Sequence, residues 1–152
     1  NTLKVANEYQ TFLKEEGVES IIFSLQELQT LHRDEEFIAL EAKYILPAEK
    51  FIFILPEYNG AFPGIFKLMI DMTDVKICWY GKKVLLAGVA TGRAGNLRGL
   101  DAMTNMCHYI KMNVLPNKIP LSAIHEELEN DKFSKGQTIE TVKQQIKEFI
   151  SF

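Results

Sequence analysis

Phe51-Ile52-Phe53-Ile54-Leu55-Pro56 is apolar at every position. No alternation turns one side of it toward water. A strand-length segment of this kind needs cover on both faces, and helices packed against both sides of a parallel sheet provide it. The run is the longest apolar stretch in the chain and falls well short of the ~18 residues that a membrane-spanning helix requires.

The remaining pattern agrees with such a sheet. Leu3, Ala6, Tyr9 and Leu13 recur at helical spacing, which predicts a helix over 3–16 with Thr2 at its N-cap and Gly17 just beyond its end. Val18–Leu25 reads as a short strand, and 26–34 as a loop with Leu28 and Leu31 turned inward. A helix over 35–45 is stopped by Pro47. After the strand at 51–55, Pro63-Gly64 opens a helix that reaches Met72. Strands are expected at 83–90 and 119–124, helices at 97–112 and 138–152, and a polar loop at 126–135. Strict alternation of helix and strand implies βαβ units in one parallel sheet. No repeat or linker divides the chain, so 1–152 is expected to form one domain. The inventory starts with a helix, although a doubly wound sheet places an inner strand ahead of its first helix. A strand and its loop are therefore expected ahead of Asn1.

Helix 64–72 is unusual. Ile65, Phe66, Leu68, Met69, Ile70 and Met72 leave it almost no polar side. It is expected to be buried nearly all round, with the sheet on one side and a second covering surface on the other.

Composition narrows the function. A net charge of −3 and a pI of about 5.7 offer no cationic footprint for nucleic acid. Cys78 and Cys107 form no Cys-x-x-Cys pattern and read as reduced thiols of a cytoplasmic protein. His32, His108 and His125 lack the spacing of metal ligands, so no metal site is expected. No Gly-x-Ser-x-Gly elbow marks a hydrolase. Trp79-Tyr80 reads as a hydrophobic loop plug.

Two loops carry the unusual residues. One is Leu55-Pro56-Glu57-Tyr58-Asn59-Gly60-Ala61-Phe62-Pro63-Gly64, and the other runs Ala90-Thr91-Gly92-Arg93-Ala94-Gly95-Asn96-Leu97-Arg98-Gly99. Both follow predicted parallel strands, and open α/β sheets bind ligands outside the carboxyl ends of their strands. Glycines there allow positive φ and close main-chain approach. The second loop leads into a helix, whose first N–H groups are free to meet electron-rich oxygens.

Pro56-Glu57-Tyr58-Asn59-Gly60, Pro63-Gly64, Lys67 and Ile70-Asp71, followed by Gly88-Val89-Ala90-Thr91-Gly92-Arg93-Ala94-Gly95-Asn96-Leu97-Arg98, resemble the signature of the NADPH-dependent FMN reductase family. That family includes flavodoxin-like azoreductases and quinone or chromate reductases. The resemblance covers most of the chain and implies a flavodoxin-like, doubly wound α/β fold that lacks its first strand and phosphate loop here. It implies FMN contacts at Pro56, Glu57, Tyr58, Asn59 and Gly60, and on the ring's other side at Thr91, Gly92, Arg93 and Asn96. It also implies hydride transfer from NADPH or NADH through FMN to a small-molecule electron acceptor. Flavin chemistry needs no side-chain nucleophile. No catalytic residue is assigned, and Glu57 is read as structural. The family's habit of forming homodimers and tetramers through the helix at 64–72 would explain that helix's missing polar side. Two departures are visible: Ala61 stands where the family often has Ser, and Leu68-Met69 where an Asn is common. An electron carrier or flavin-binding module without catalysis is the alternative function.

Overall fold

A computed structural model describes residues 1–152. The chain begins with helix α1, Thr2–Glu15. Helix α2, Glu35–Leu40, starts at Asp34, whose carboxylate accepts the Phe37 N–H at 2.9 Å, and it runs into a π turn over Glu41–Ile45. Strand β1, Lys50–Pro56, is followed by α3, Gly64–Met72, and by the short α4, Val75–Cys78. Then come β2, Lys83–Val89, and α5, Leu97–Tyr109. Two short strands follow, β3, Asn113–Val114, and β4, Ile119–Leu121. Helix α6, Ile124–Glu127, leads to a hairpin of β5, Leu128–Glu129, and β6, Lys132–Phe133. Helix α7, Gly136–Ser151, ends the chain.

β1 and β2 pair in parallel from Lys50↔Lys83 to Pro56↔Val89. β3 and β4 both pair in parallel with β2, at Lys83–Val84 and at Ala87–Val89. The α/β fold with a parallel sheet is therefore as the alternation predicted. The twofold apolar character of β1 has its expected cause. Phe53 and Leu55 enter the core on one face, among residues of α2, α3 and α5. Ile52 and Ile54 pack on the other, against the residues of α1 and α7.

Main-chain and side-chain contacts fix the direction of the outer helices. Lys50 and Lys83, at the amino ends of β1 and β2, donate to the carbonyls of Phe149, Ile150 and Phe152. The carboxyl end of α7 thus lies at the amino ends of the strands. Lys143–Glu15 and Lys147–Glu16 join the carboxyl half of α7 to that end of α1, while Lys4–Asp131 and the Glu8–Phe133 hydrogen bond hold the other end of α1 on the hairpin. α1 and α7 therefore both run against the strands. Between them, the Tyr9 hydroxyl donates to Gln145 Oε1, and Gln145 Nε2 donates to the carbonyls of Leu86 and Asn117.

Three expectations are corrected. Val18–Leu25 is not a strand: it belongs to no ladder, and only a 3₁₀ turn forms at Leu25–Glu27. Its sequence suits a strand, but it lies beside no strand edge with which to exchange hydrogen bonds. Leu31 is exposed, although Leu28 is buried as expected. Helix α3 is not buried nearly all round: Lys67 and Asp71 are exposed, and Ile65 and Leu68 are half-buried. Phe66, Met69, Ile70 and Met72 are buried within the chain, in one cluster with Phe53 and Trp79. Trp79, 1% exposed, fills this layer against Phe51 and Phe53, and its Nε1 donates to Thr73 Oγ1 at 2.7 Å. It is the plug that the sequence suggested.

One ion pair anchors this layer. Arg33 grips both oxygens of the buried Glu41 at 2.6 and 2.8 Å and also donates to the Met72 carbonyl. The Arg33 hydrogen bond holds the Glu41 carboxyl below its ordinary value of 4.5. A carboxyl depressed in the folded state stabilises the protein above its unfolded pKa, and this contribution is lost as pH falls through the folded value. Replacement of Arg33 by Gln is expected to lower the urea midpoint at neutral pH. The gap to the parent should narrow below pH 4.5. A gap that stays constant down to acid unfolding would show that the pair carries no such linkage.

No helix of the chain is long and apolar enough to cross a membrane.

Candidate functional site

The two loops share one rim of the sheet. In the first, Tyr58 and Ala61 bond to each other twice, N–H to carbonyl at 2.8 Å and 3.1 Å. Asn59 and Gly60 between them have φ of 52° and 76°. Two successive positive φ values make a type I′ turn, and Asn-Gly is the pair that adopts it at least cost. The turn lifts Tyr58 outward until its side chain is 61% exposed. Pro56 closes β1, and the Glu57 N–H donates to the carbonyl of Val89 at the end of β2. Glu57 is thus tied into the fold through its main chain.

The second loop is pinned more tightly. Gly95 and Asn96 both have positive φ, 57° and 66°, just ahead of α5. Thr91, Gly92, Arg93 and Ala94 are exposed, whereas Asn96 is 1% exposed. Asn96 Nδ2 donates to the carbonyl of Leu55 at 3.0 Å, so the second loop is fastened to the end of β1. A side chain on Gly88 would press into the Gly95 carbonyl and lie 2.9 Å from Asn96 Cβ; one on Gly99 would strike the Asn96 amide. Asn96 Oδ1 is buried without a hydrogen-bond partner. Nothing on α5 larger than Gly99 fits against it. Gly60 faces the Arg98 side chain, with Cδ 3.7 Å from where a Cβ would stand. Gly92 and Ala90 accept from the N–H groups of Ala123 and Ile124, which brings a third segment, after β4, to the same rim.

Free main-chain donors give this rim its chemistry. The N–H groups of Asn59, Gly60, Thr91, Gly92, Arg93 and Ala94 donate to no main-chain carbonyl of the chain. These donors lie on two loops joined by the Asn96–Leu55 bond. Fixed N–H donors on neighbouring loops suit a flat ligand with an electron-rich edge. Arg93 and Arg98 add cationic side chains beside them. Among the sequence-assigned residues, Pro56, Glu57, Tyr58, Asn59 and Gly60 fall on one side of the junction and Thr91, Gly92 and Arg93 on the other. Asn96 lies beneath it, buried and engaged with Leu55. Ala123, whose N–H holds the Gly92 carbonyl, was not singled out.

A family comparison decides the relationship: the model for NADPH-dependent FMN reductase matches residues 1–126. The chain belongs to that family. Both loops and the sheet between them lie inside the matched FMN reductase region. An NAD(P)H-dependent FMN reductase of Schizosaccharomyces pombe is 30% identical over 92 residues, 60% of this chain and 42% of the relative. A second, from Saccharomyces cerevisiae, is 33% identical over 76 residues, 48% of this chain and 38% of the relative. The chain thus spans about two fifths of the length of the curated relatives it matches. Among solved structures, FerB, a flavoenzyme NAD(P)H:(acceptor) oxidoreductase from Paracoccus denitrificans, superposes with a TM-score of 0.75 at 18% identity, covering 99% of this chain and 87% of that one. An oxidoreductase from Corynebacterium diphtheriae gives 0.67 at 15% identity, covering 97% and 84%. These two likenesses establish the flavodoxin-like α/β fold for this member of the FMN reductase family.

Other chemistries find no support. No group of three or more His, Cys, Asp or Glu side chains could hold a metal ion. Both cysteines are free and buried, and burial pushes the Cys78 thiol up to about 11 and the Cys107 thiol up to about 12. Neither is a thiolate near neutral pH, which a nucleophilic cysteine must be.

Proposed function

We propose that this chain forms the FMN-binding sheet of an NAD(P)H-dependent oxidoreductase that passes reducing equivalents to a small-molecule acceptor. The observation that carries this reading is the row of unpaired N–H donors on Asn59-Gly60 and Thr91–Ala94, held on two loops that Asn96 joins to Leu55. FMN, when bound, supplies the hydride and electron chemistry. The chain supplies binding and orientation. The exposed Tyr58 ring and the donors of the first loop hold one edge of a flat ligand, and the donors of Thr91–Ala94 hold another. N–H groups fixed by turn geometry need no reorganisation as negative charge builds up on a nearby oxygen or nitrogen. Arg93 and Arg98 favour an anionic ligand through their charge. Asn96 acts on the ligand indirectly, by keeping the two loops in register. No side chain is assigned a proton-transfer role.

Anaerobic titration tests the reading. The protein is expected to turn yellow with FMN in equimolar amount and to lose the colour on adding NADPH, at a rate that saturates with NADPH. Colour that persists under NADPH supports the electron-carrier alternative. A protein that takes up no FMN overturns both.

A further inference from the structure

The amino ends of the strands, opposite the rim, gather unpaired positive charge and exposed apolar side chains in one place. β1 begins at Lys50 and β2 at Lys83, and the turns that lead into β1, β2 and β3 meet there. Gly81 N–H donates to the Lys111 carbonyl, Asn113 Nδ2 to the Gly81 carbonyl, and Lys82 Nζ to the carbonyls of Ile45 and Leu46. Lys50, Lys82 and Lys83 line one hollow of about 360 Å³ with Glu49, Tyr80 and Gly81. Lys111 Nζ stands 4.7 Å over the Tyr80 ring, and Lys76 lies on α4 one turn ahead of Tyr80. None of these lysines is in an ion pair, whereas Lys4, Lys67, Lys135, Lys143 and Lys147 elsewhere each have one. The carboxylates on the same turns are Glu49 and Asp74. In a chain of net charge −3, positive charge is thus concentrated at this end.

Apolar tips stand among the lysines. Leu46, Ile77, Tyr80 and Tyr109 are exposed, Tyr109 by 87%. A solvated lysine surface accounts for the charge and leaves these side chains without cover. An acidic protein answers the charge but needs a shaped counterpart for three separate turns. An anionic bilayer answers both features. Its headgroups attract lysine, and its interface accepts tyrosine rings and aliphatic tips at shallow depth. Lys50 and Lys82 each spend two of their three N–H groups on helix carbonyls, which offset part of their charge and leave one N–H for a headgroup oxygen. Lys76 and Lys111 are exposed and hold no such carbonyl, so they carry most of the attraction.

We propose that this end of the molecule docks on an anionic lipid bilayer. Lys76 and Lys111 meet the headgroups, a headgroup oxygen enters the hollow of Lys50, Lys82 and Lys83, and the tips of Leu46, Ile77, Tyr80 and Tyr109 sit at the interface. Attachment of this kind is to the surface and needs no spanning helix. The 7-residue β1 runs from this face to the rim, so at about 3.3 Å per residue the rim stands roughly 20 Å from the bilayer. The docking face stands apart from the FMN reading, since it lies at the opposite end of the strands.

Cosedimentation with vesicles tests this. The protein is expected to pellet with phosphatidylcholine vesicles that contain phosphatidylserine, to stay in solution with phosphatidylcholine alone, and to be released by high salt. Lys76→Glu combined with Lys111→Glu should weaken binding by about tenfold or more. Lys118→Glu combined with Lys132→Glu changes the net charge equally, away from this face, and should leave binding within about twofold of the parent. A protein that does not pellet with the serine lipid overturns the proposal. Equal losses in the two double variants overturn it as well, because net charge rather than this face is then the cause. Soluble polyglutamate that binds through Lys76 and Lys111, with no binding to vesicles, overturns it in favour of an acidic protein partner. FMN uptake should be the same in both double variants, so failure here is distinct from failure to bind FMN.

Discussion

Replacing Gly95 by Ala is expected to cost about 3 kcal/mol or more of stability, the range reserved for core collisions and special backbone positions. Two effects combine. Its φ of 57° lies in the left-handed region, where a non-glycine residue without a local side-chain hydrogen bond loses about 1–2 kcal/mol. A Cβ there would also stand 2.6 Å from the carbonyl carbon of Pro120 and 2.7 Å from its Cβ and carbonyl oxygen. Proline backbone cannot swing aside as a long side chain can. Either β4 moves away from β2 or the loop does, and both disturb the rim. Gly92→Ala in the same loop is the control. Its φ is not positive and no atom lies within 4 Å of the added carbon, so it should stay within about 0.5 kcal/mol of the parent. Urea denaturation of the two variants checks this, and comparable losses in both would refute the close-approach argument.

Asn96→Gly is expected to lower stability by about 1–3 kcal/mol, because the Leu55 carbonyl loses its buried donor. Asn96→Ala should lose about 1–2 kcal/mol more, since alanine must also hold the left-handed φ of 66°. The difference between the two variants separates the hydrogen bond from the backbone conformation. If the loops act together on a ligand, both variants should also weaken FMN binding at least tenfold. Asn96 touches the ligand only through loop register, so this weakening should grow with the loss of stability across the pair. Equal stability with sharply reduced FMN affinity would instead mean that Asn96 contacts the ligand itself.

Which parts of this molecule could be read from its residues follows from how local each cause is. β1 and β2 were legible because continuous apolar runs bounded by Pro and Gly leave few alternatives. The rim loops were legible because Asn59-Gly60 and the glycines around Arg93 have few other uses. Val18–Leu25 misled because a strand is completed by its neighbours. The hairpin at Leu128–Phe133 was missed although its Asn130-Asp131 pair, with φ of 49° and 67°, is a two-residue turn signal between short strands. Polar neighbours hid it. What covers the buried side of α3 was not legible, because it comes from Phe53, Phe62 and Trp79, residues distant in the pattern. The role of Asn96 was out of reach for a different reason. An amide in a glycine loop reads as a ligand contact, and only the fold reveals that its donor is committed to Leu55.

The sealed position of Trp79 makes the protein report on itself. It is the only tryptophan in the chain. Its indole lies against Phe51 and Phe53, out of water, near the end of the sheet away from the rim loops. Its emission should be blue-shifted in the folded state and move to the red only when the aromatic layer over β1 comes apart. Loosening of the rim loops alone should leave that wavelength unchanged, so a single optical signal can tell local fraying of the rim from global unfolding.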